Sequence, residues 1–388
     1  MSSRVKELTV FCEQGDSAKI KTWSNVPYFL TTTLEGQGVK VNRVNLHPKS
    51  SFFHQLLYKC WNVFAKGVFH QSSYRRSALY YRISDWKIQK AVRKFANSDA
   101  FLFTSFSFST KPFAEKPMVQ FCDWTLEYDT TVFHGISPAS LSADEQKLME
   151  RQRRCIEESD LVVSLFPGVA SHMTKVYRNP EICYIGNVVN SLVEPDRSEA
   201  IRQKEAGKAI LFVGKKHYCQ GAEQLLVAFR RLQEKMPDAE LHIIGMTADQ
   251  LRNVPDGVIC HGYLDKGKRE DCYIYYDLMS KCRLFINTTP KWGAFSASVE
   301  AMYHYMPVIV SPYSEFVNTF GECIEFGRYH QEQDGADGLC RQMVELLADD
   351  DFDSLAEAAH QAVAEMTWSH FTNRILNRID KIVERNGK

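Results

Sequence analysis

The patterns this chain lacks exclude several kinds of chemistry. No Gly-x-Gly-x-x-Gly and no Gly-x-x-x-x-Gly-Lys-Ser/Thr occurs in its 388 residues. That counts against a dinucleotide dehydrogenase and a P-loop NTPase, whose backbones need glycines at those places to approach a phosphate. Its eleven cysteines are odd in number and scattered, without a Cys-x-x-Cys pair or a Cys/His arrangement at zinc spacing. A reducing compartment fits this better than a disulfide framework, and no metal site is expected. Charge of one sign is not in excess either: Lys+Arg and Asp+Glu stand at 47 each, so an electrostatic partner has to meet a local patch and not a global field. Met1 to Glu7 shows no basic segment leading into an apolar run, and no later stretch approaches the length of a membrane span. The expectation is a cytoplasmic protein that is neither translocated nor integral to a membrane.

With 44% apolar residues the chain can bury a large core, and its length predicts two domains. Leu8 to Cys12 reads as a short buried strand, followed by a polar loop, a helix near 24–34, glycine stop signals at Gly36 and Gly38, and an alternating strand over 39–44. The rhythm returns with strands at 100–104, 117–122 and 160–164 and a helix through 143–158. Over 191–208 the apolar runs vanish and charges accumulate, which marks a seam. The βα pattern then restarts, with strands at 209–213, 240–244, 284–286 and 307–310. The fold class is therefore α/β, two successive doubly wound Rossmann-like domains. Ligands in such sheets sit beyond the carboxyl ends of the strands, so two facing domains would form a cleft.

Chemistry concentrates in the second half. The strand ending at Val213 runs into Gly214-Lys215-Lys216 and on to Gly221, placing two ammonium groups on a flexible turn at the strand end, as a diphosphate would need. A solvated lysine pair is the plain alternative. After the strand at 284–286, a loop of small residues through Trp292, Gly293 and Phe295 opens a helix near Ser296, whose amides and positive dipole end offer an anion site. Glu300 is placed in the first helical turn, from which its carboxylate can lean over the helix start to accept hydrogen bonds from vicinal hydroxyls. By itself, such a residue is an ordinary dipole-complementing acid.

The series Phe212-Val-Gly-Lys-x5-Gly221, Leu225-Leu-x-Ala-Phe229, Pro237-x-Ala-x-Leu-x-Ile-Ile-Gly245 and Val299-Glu-Ala-Met-x3-Met-Pro-Val-Ile309 resembles family 4 glycosyltransferases of the GT-B fold, the bacterial cell-surface polysaccharide type. The resemblance implies two Rossmann-like domains facing across a cleft: 1–192 for the acceptor, 193–370 for the nucleotide sugar, and a terminal helix at 371–388 returning to the first. It further implies that Glu300 binds ribose hydroxyls, that Lys215 faces the diphosphate, and that the transfer retains anomeric configuration. The chain departs from the family twice. Gln220 stands at the second basic position, leaving Lys216 to share the load, and Trp292 stands where the family has its first glutamate, where an indole can wall a sugar face.

In the first domain, Gly15 in the early loop permits close approach to donor phosphate or acceptor. Asp123 or Asp129, at the strand end where the family has His-Asp, can orient an acceptor hydroxyl or act as base; capping the next segment is the structural alternative. Residues 49–94 carry ten Lys/Arg against one acid, Asp85, among many aromatics. Lys59, Lys66, Arg75 and Arg76 represent an acceptor or membrane patch there, and segments such as Phe52 to Phe64 have the apolar spacing of an amphipathic helix with a basic face, which suits anionic lipid or a lipid diphosphate. An ordinary core helix is the alternative. The expected function is transfer of a sugar from a nucleoside diphosphate sugar to a hydroxyl of a glycan or lipid-linked saccharide. No cofactor or metal is required, no nucleic acid is bound, and peripheral contact with an anionic inner membrane face is expected. The rival readings are a catalytically silent GT-B scaffold of a polysaccharide assembly complex and a sugar-nucleotide epimerase of similar fold.

Overall fold

The computed structural model describes residues 4–63, 73–205, 207–290 and 295–386; Lys66, Trp292 and Gly293 lie outside the described residues. The chain divides into two compact units, Met1–Asn187 with Trp368–Lys388, and Val188–Thr367. The first division falls before the charged stretch that marks a seam in the sequence.

The first unit holds β1 (Glu7–Cys12), β2 (Lys40–Asn45), β3 (Ala100–Phe103), β4 (Met118–Cys122), β5 (Leu161–Ser164) and β6 (Ile182–Tyr184). They form one parallel sheet in the order β2-β1-β3-β4-β5-β6. Strands β3, β4 and β5 are buried along their whole length, so their sequences are continuous apolar runs, as in parallel sheets covered on both faces. The edge strand β2 is never fully buried and alternates in sequence. Helices α1 (Val26–Gly36), α2 (Phe52–Trp61), α3 (Ala78–Lys94), α4 (Ala143–Glu157) and α5 (Pro167–Val176) accompany the sheet. The entry to α4 is set by a capping box, in which Ser142 and Glu145 satisfy each other's backbone amides.

The second unit repeats the plan with β7 (Ala209–Val213), β8 (Glu240–Ile244), β9 (Val258–Gly262), β10 (Leu284–Asn287), β11 (Val308–Val310) and β12 (Gly327–Tyr329). Its sheet runs β12-β11-β10-β7-β8-β9, all parallel. Its helices are α6 (Arg197–Glu205), α7 (Cys219–Lys235), α8 (Arg269–Lys281), α9 (Ser296–Tyr303), α10 (Ser314–Phe320), α11 (Gly335–Leu347) and α12 (Phe352–Gln361). One core cluster joins Phe212, Phe229, Ile243, Ile286 and Met343. The last helix, α13 (Trp368–Asn386), belongs to the first unit. Its Trp368 stacks on Phe29 and its Phe371 meets Phe121, with ring centroids 6.4 and 5.2 Å apart. Among the described residues no helix is long and apolar enough to cross a membrane.

Both sheets change direction of strand order beside their first strand, at β1/β3 and at β7/β10. In open parallel sheets such switch points, at the carboxyl ends of the strands, are where ligands bind.

Candidate functional site

In the second unit the switch point is shaped by glycines. Gly214 follows β7, and a Cβ there would stand 2.8 Å from the Phe212 ring and 2.9 Å from the Cβ of Tyr218. Gly245 follows β8 with φ +102°, and a Cβ on it would come within 2.5 Å of the Gly214 carbonyl oxygen. Gly221, in the first turn of α7, lies so close to the loop after β10 that a Cβ would be 2.3 Å from Thr289 Oγ1. Only bare backbones let these strand ends and the helix start converge.

Lys215 and Lys216 leave this floor exposed to solvent, Lys215 with its Nζ 4.9 Å from the centre of the Tyr263 ring. Across the switch, Asn287 Oδ1 accepts from the Thr289 amide at 3.2 Å and from its hydroxyl at 2.8 Å, turning the chain out of β10. Among the described residues no side chain caps helix α9 at its start, Ser296; the first amides of a helix have no partner within it. Nearby in sequence, the hydroxyls of Thr288 and Ser298 are buried with no hydrogen-bond partner among the described residues. Phe295 is different: its ring is buried against Phe316 and Phe320, so its side chain belongs to the core.

Glu300 is not in the first turn of α9. It is the fifth residue of that helix, 3% exposed, and its carboxylate is engaged. Oε1 accepts from Lys266 Nζ at 2.5 Å and from the Tyr276 hydroxyl at 3.1 Å, and Oε2 accepts from the Tyr275 hydroxyl at 2.9 Å. Burial, and then the neighbouring Glu300 charge, push both phenols upward, which keeps them protonated as donors. Lys266 Nζ lies 4.1 Å from the centre of the Tyr275 ring and also donates to the Asn190 carbonyl at 3.2 Å. The Tyr276 hydroxyl accepts from the Leu192 amide at 2.7 Å. Glu300 is thus the centre of a buried network that ties α8, α9 and the 190–192 segment together. Sequence reasoning missed Lys266 and the tyrosines; the acid alone was visible, in a helix next to a small-residue turn.

In the first unit the loops after β1 and β3 meet. Glu13 accepts from Arg75 Nη2 at 2.9 Å and from Ser105 Oγ at 2.6 Å, while Gln14 exchanges hydrogen bonds with Thr104 at 2.8 and 2.9 Å. Beside them is a cavity of about 380 Å³ lined in part by Glu13, Arg75, Ser105, Ser107, Trp124 and Gln152. Trp124 Nε1 and Arg75 Nε are buried there without partners among the described residues. Asp123, between the lining residues Cys122 and Trp124, accepts from the Trp124 amide at 2.8 Å and from Cys122 Sγ at 3.2 Å. Burial raises its pKa. Asp129 is half-exposed beside His134, 3.4 Å away. Gly15 has φ +151°, and a Cβ there would touch Thr22 at 3.3 Å, so its loop is already closely packed.

The basic stretch is not one patch. Arg75 is paired with Glu13 and Arg76 with Glu145, and Asp85 is matched by Arg151; Arg75 and Arg76 are half-buried and line the same cavity. Lys59 is exposed. The outward face of α2 is mainly apolar, with Lys59 among its exposed residues, because His54, Tyr58 and Trp61 turn inward onto Tyr74. Among the described residues no three His, Cys, Asp or Glu side chains gather as a metal site would need.

Residues 207–349 match the family model described as glycosyl transferases group 1. No curated protein matches the sequence significantly. Among solved structures, a sucrose-phosphate synthase from Thermosynechococcus elongatus aligns over 98% of this chain and 100% of its own at 15% identity, with a TM-score of 0.68. A glycosyltransferase from Rickettsia africae covers 99% and 100% at 13% identity and 0.63. The Anabaena protein HepE, in complex with UDP and glucose, covers 96% and 99% at 14% identity and 0.61. At these identities the structural likeness establishes the fold, which is GT-B.

Proposed function

We propose that this chain, a glycosyltransferase of the GT-B fold whose second unit carries the group 1 domain, moves a glycosyl unit from a nucleoside diphosphate sugar to a hydroxyl acceptor. The observation that carries the reading is the glycine-floored approach, at the β7/β10 switch, of the Lys215-Lys216 turn and the start of α7 to the ends of β8 and β10. In this reading Lys215, Lys216, the Gly214 turn and the amides near Ser296 hold the diphosphate and stabilise it as it departs. Preorganised cations and amides supply that role without a metal.

Glu300 receives the ribose hydroxyls. Its carboxylate offers about four acceptor positions, and three are already used in the donor-free chain, so the ribose takes the place of Tyr276 or of Lys266 on Oε1. The 190–192 segment is thereby coupled to donor binding.

The acceptor is a glycan or lipid-linked saccharide bound at the first unit, where Trp124 Nε1 donates to one of its hydroxyls. Asp123, held above the usual carboxylate range by burial, orients or deprotonates the attacking hydroxyl, with Asp129 nearby in sequence as the other candidate. Retention of anomeric configuration goes with this reading, and NMR of the product anomer checks it. A lipid-linked acceptor would place the protein at the cytoplasmic face of an anionic membrane in the synthesis of a surface polysaccharide.

The test is a thermal-shift screen with UDP, GDP, ADP and CMP, followed by release of nucleoside diphosphate from the matching sugar donor. A ligand that binds only the native state raises its melting temperature in proportion to affinity. A flat response to all four sinks the reading. A Glu300 already engaged by three donors favours one rival, a silent scaffold subunit, which would bind nucleotide yet release no diphosphate from a sugar donor. An epimerase would return an altered free sugar nucleotide and no conjugate.

A further inference from the structure

Helix α2 presents its hydrophobic residues to solvent. Phe52 is 84% exposed, Phe53 69%, Leu56 48% and, just beyond the helix, Val63 62%. Positions 52, 56 and 63 are separated by four and seven residues and so share one side of a helix. An apolar set this concentrated is unusual on a surface with no partner. The opposite side of α2 is already used: His54 stacks on Tyr80, and Tyr58 and Trp61 meet Tyr74 edge-on. The neighbouring α3 is joined to it through Lys87, whose Nζ bonds Ser50 Oγ at 2.7 Å and His54 Nδ1 at 2.9 Å. The residue before that lysine, Trp86, is also exposed, with Lys90 Nζ 4.5 Å from its ring centre.

Charge decides what covers this face. Residues 49–63 contain Lys49 and Lys59 and no acid, and both lysines are exposed. On α3 the exposed positions include Arg82, Lys90, Arg93 and Lys94, while its acid, Asp85, is neutralised by Arg151. A second copy docked through the same face would set these cations against their own kind. An anionic bilayer instead takes phenylalanines below its headgroups and lysines at their level.

We propose that the outward face of α2, with Phe52, Phe53, Leu56 and Val63 at its centre and Lys49 and Lys59 beside them, is a docking surface for an anionic lipid bilayer. The helix lies in the interface plane, and its aromatic rings enter the headgroup boundary. The inference rests on the reading that the acceptor is carried at a membrane, but vesicle binding is measured apart from sugar chemistry, so either can fail alone.

The experiment is co-sedimentation of the full chain with phosphatidylcholine vesicles and with vesicles that also contain phosphatidylglycerol. The expected result is binding to the mixed vesicles, weak binding to the neutral ones, and loss with added salt, since each lysine near an anionic surface contributes about fivefold. A Phe52→Asp/Phe53→Asp variant should bind at least tenfold more weakly while its melting temperature and its release of nucleoside diphosphate with a water-soluble acceptor stay unchanged. Phe53→Trp should give a blue-shifted emission on adding mixed vesicles. Absence of binding to mixed vesicles, equal binding by the double aspartate variant, or an unshifted tryptophan overturns the proposal. So does a dimeric mass by light scattering that falls to monomer in the same variant, which would assign the face to a second copy.

Discussion

At the scale of single residues the proposed donor site separates into an exposed part and a buried part, and the two answer differently to mutation. Lys215 is exposed, so Lys215→Ala should fold normally. Losing a hydrogen bond to a charged group is worth about 1.5–3 kcal/mol, and calorimetry should show nucleoside diphosphate binding ten- to a hundredfold weaker, with the monophosphate less affected. Glu300 is the opposite case. Glu300→Gln leaves Lys266 charged and 9% exposed at its side chain, and breaking one partner of a buried pair costs about 3–5 kcal/mol. Its melting temperature should drop, and lost activity in that variant alone says nothing about ribose. The double variant Lys266→Met/Glu300→Gln removes both charges and should regain much of the stability. If Glu300 contacts ribose, the double variant binds nucleoside diphosphate at least tenfold more weakly while inorganic pyrophosphate binds as before; equal losses for both ligands would remove Glu300 from the ribose site. Lys215 and Glu300 were legible in the sequence because each stands in a short motif beside a strand or helix end. Lys266 was not, since it sits in the polar run Asp265-Lys-Gly-Lys268, 34 positions before its partner, and nothing local distinguishes it from a solvated loop lysine. The pairings of Arg75 and Arg76 were not legible for a related reason: their acids, Glu13 and Glu145, are 62 and 69 positions away.

Among the elements, the approach of α7 to the loop after β10 is the most demanding. Gly221→Ala puts a methyl group 2.3 Å from Thr289 Oγ1 and 2.7 Å from its backbone nitrogen, and the backbone cannot rotate out of the way as a side-chain end would. Overpacking of this kind costs about 1–3 kcal/mol. The expected result is a lower melting temperature together with weaker nucleoside diphosphate binding, because the displaced helix carries the lysine turn with it; Gly36→Ala, where no atom lies within 4 Å of the added methyl, is the neutral control. The fold was largely legible at this scale. The buried strands β1, β3, β4, β5, β7, β8, β10 and β11 announce themselves as apolar runs. Strands β6, β9 and β12 did not: β6 and β12 have three residues each, and β9 has one buried position, too little for a period to show. Helix α2 was legible as a helix but with its exposure inverted. Its apolar spacing is a core signal in most proteins, and only the packing of His54, Tyr58 and Trp61 reveals which side faces in.

For the molecule as a whole, each unit buries a histidine that resists protonation, and acid should therefore act on both. In the second unit His304 is packed between Tyr276 and Tyr303, with its Nε2 2.9 Å from Ser191 Oγ. Burial, reinforced by the charges of Lys204 and Lys266, lowers its pKa to about 3. In the first unit His54, with Lys87 at its Nδ1, is lowered to about 4, again chiefly by burial. Both groups are neutral in folded and unfolded chains above pH 7, so they contribute nothing there. Below the ordinary histidine pKa of 6.5 the unfolded chain takes up a proton that the folded chain refuses, and stability falls as the pH drops from 6.5 toward the folded values. Each histidine then removes about 1.4 kcal/mol per pH unit. Asp123 has the opposite sign, since its raised pKa makes the folded chain the better proton acceptor, but its window opens upward from 3.8, at the far end of the range. Urea unfolding at pH 6.5 and pH 5.5 should therefore show a loss of stability at the lower pH in both units. His304→Gln should flatten the dependence of the second unit by about one proton and leave that of the first unchanged, and His54→Gln should do the reverse. A pH dependence that survives both substitutions undiminished would mean that these two histidines do not govern the response of the fold to acid.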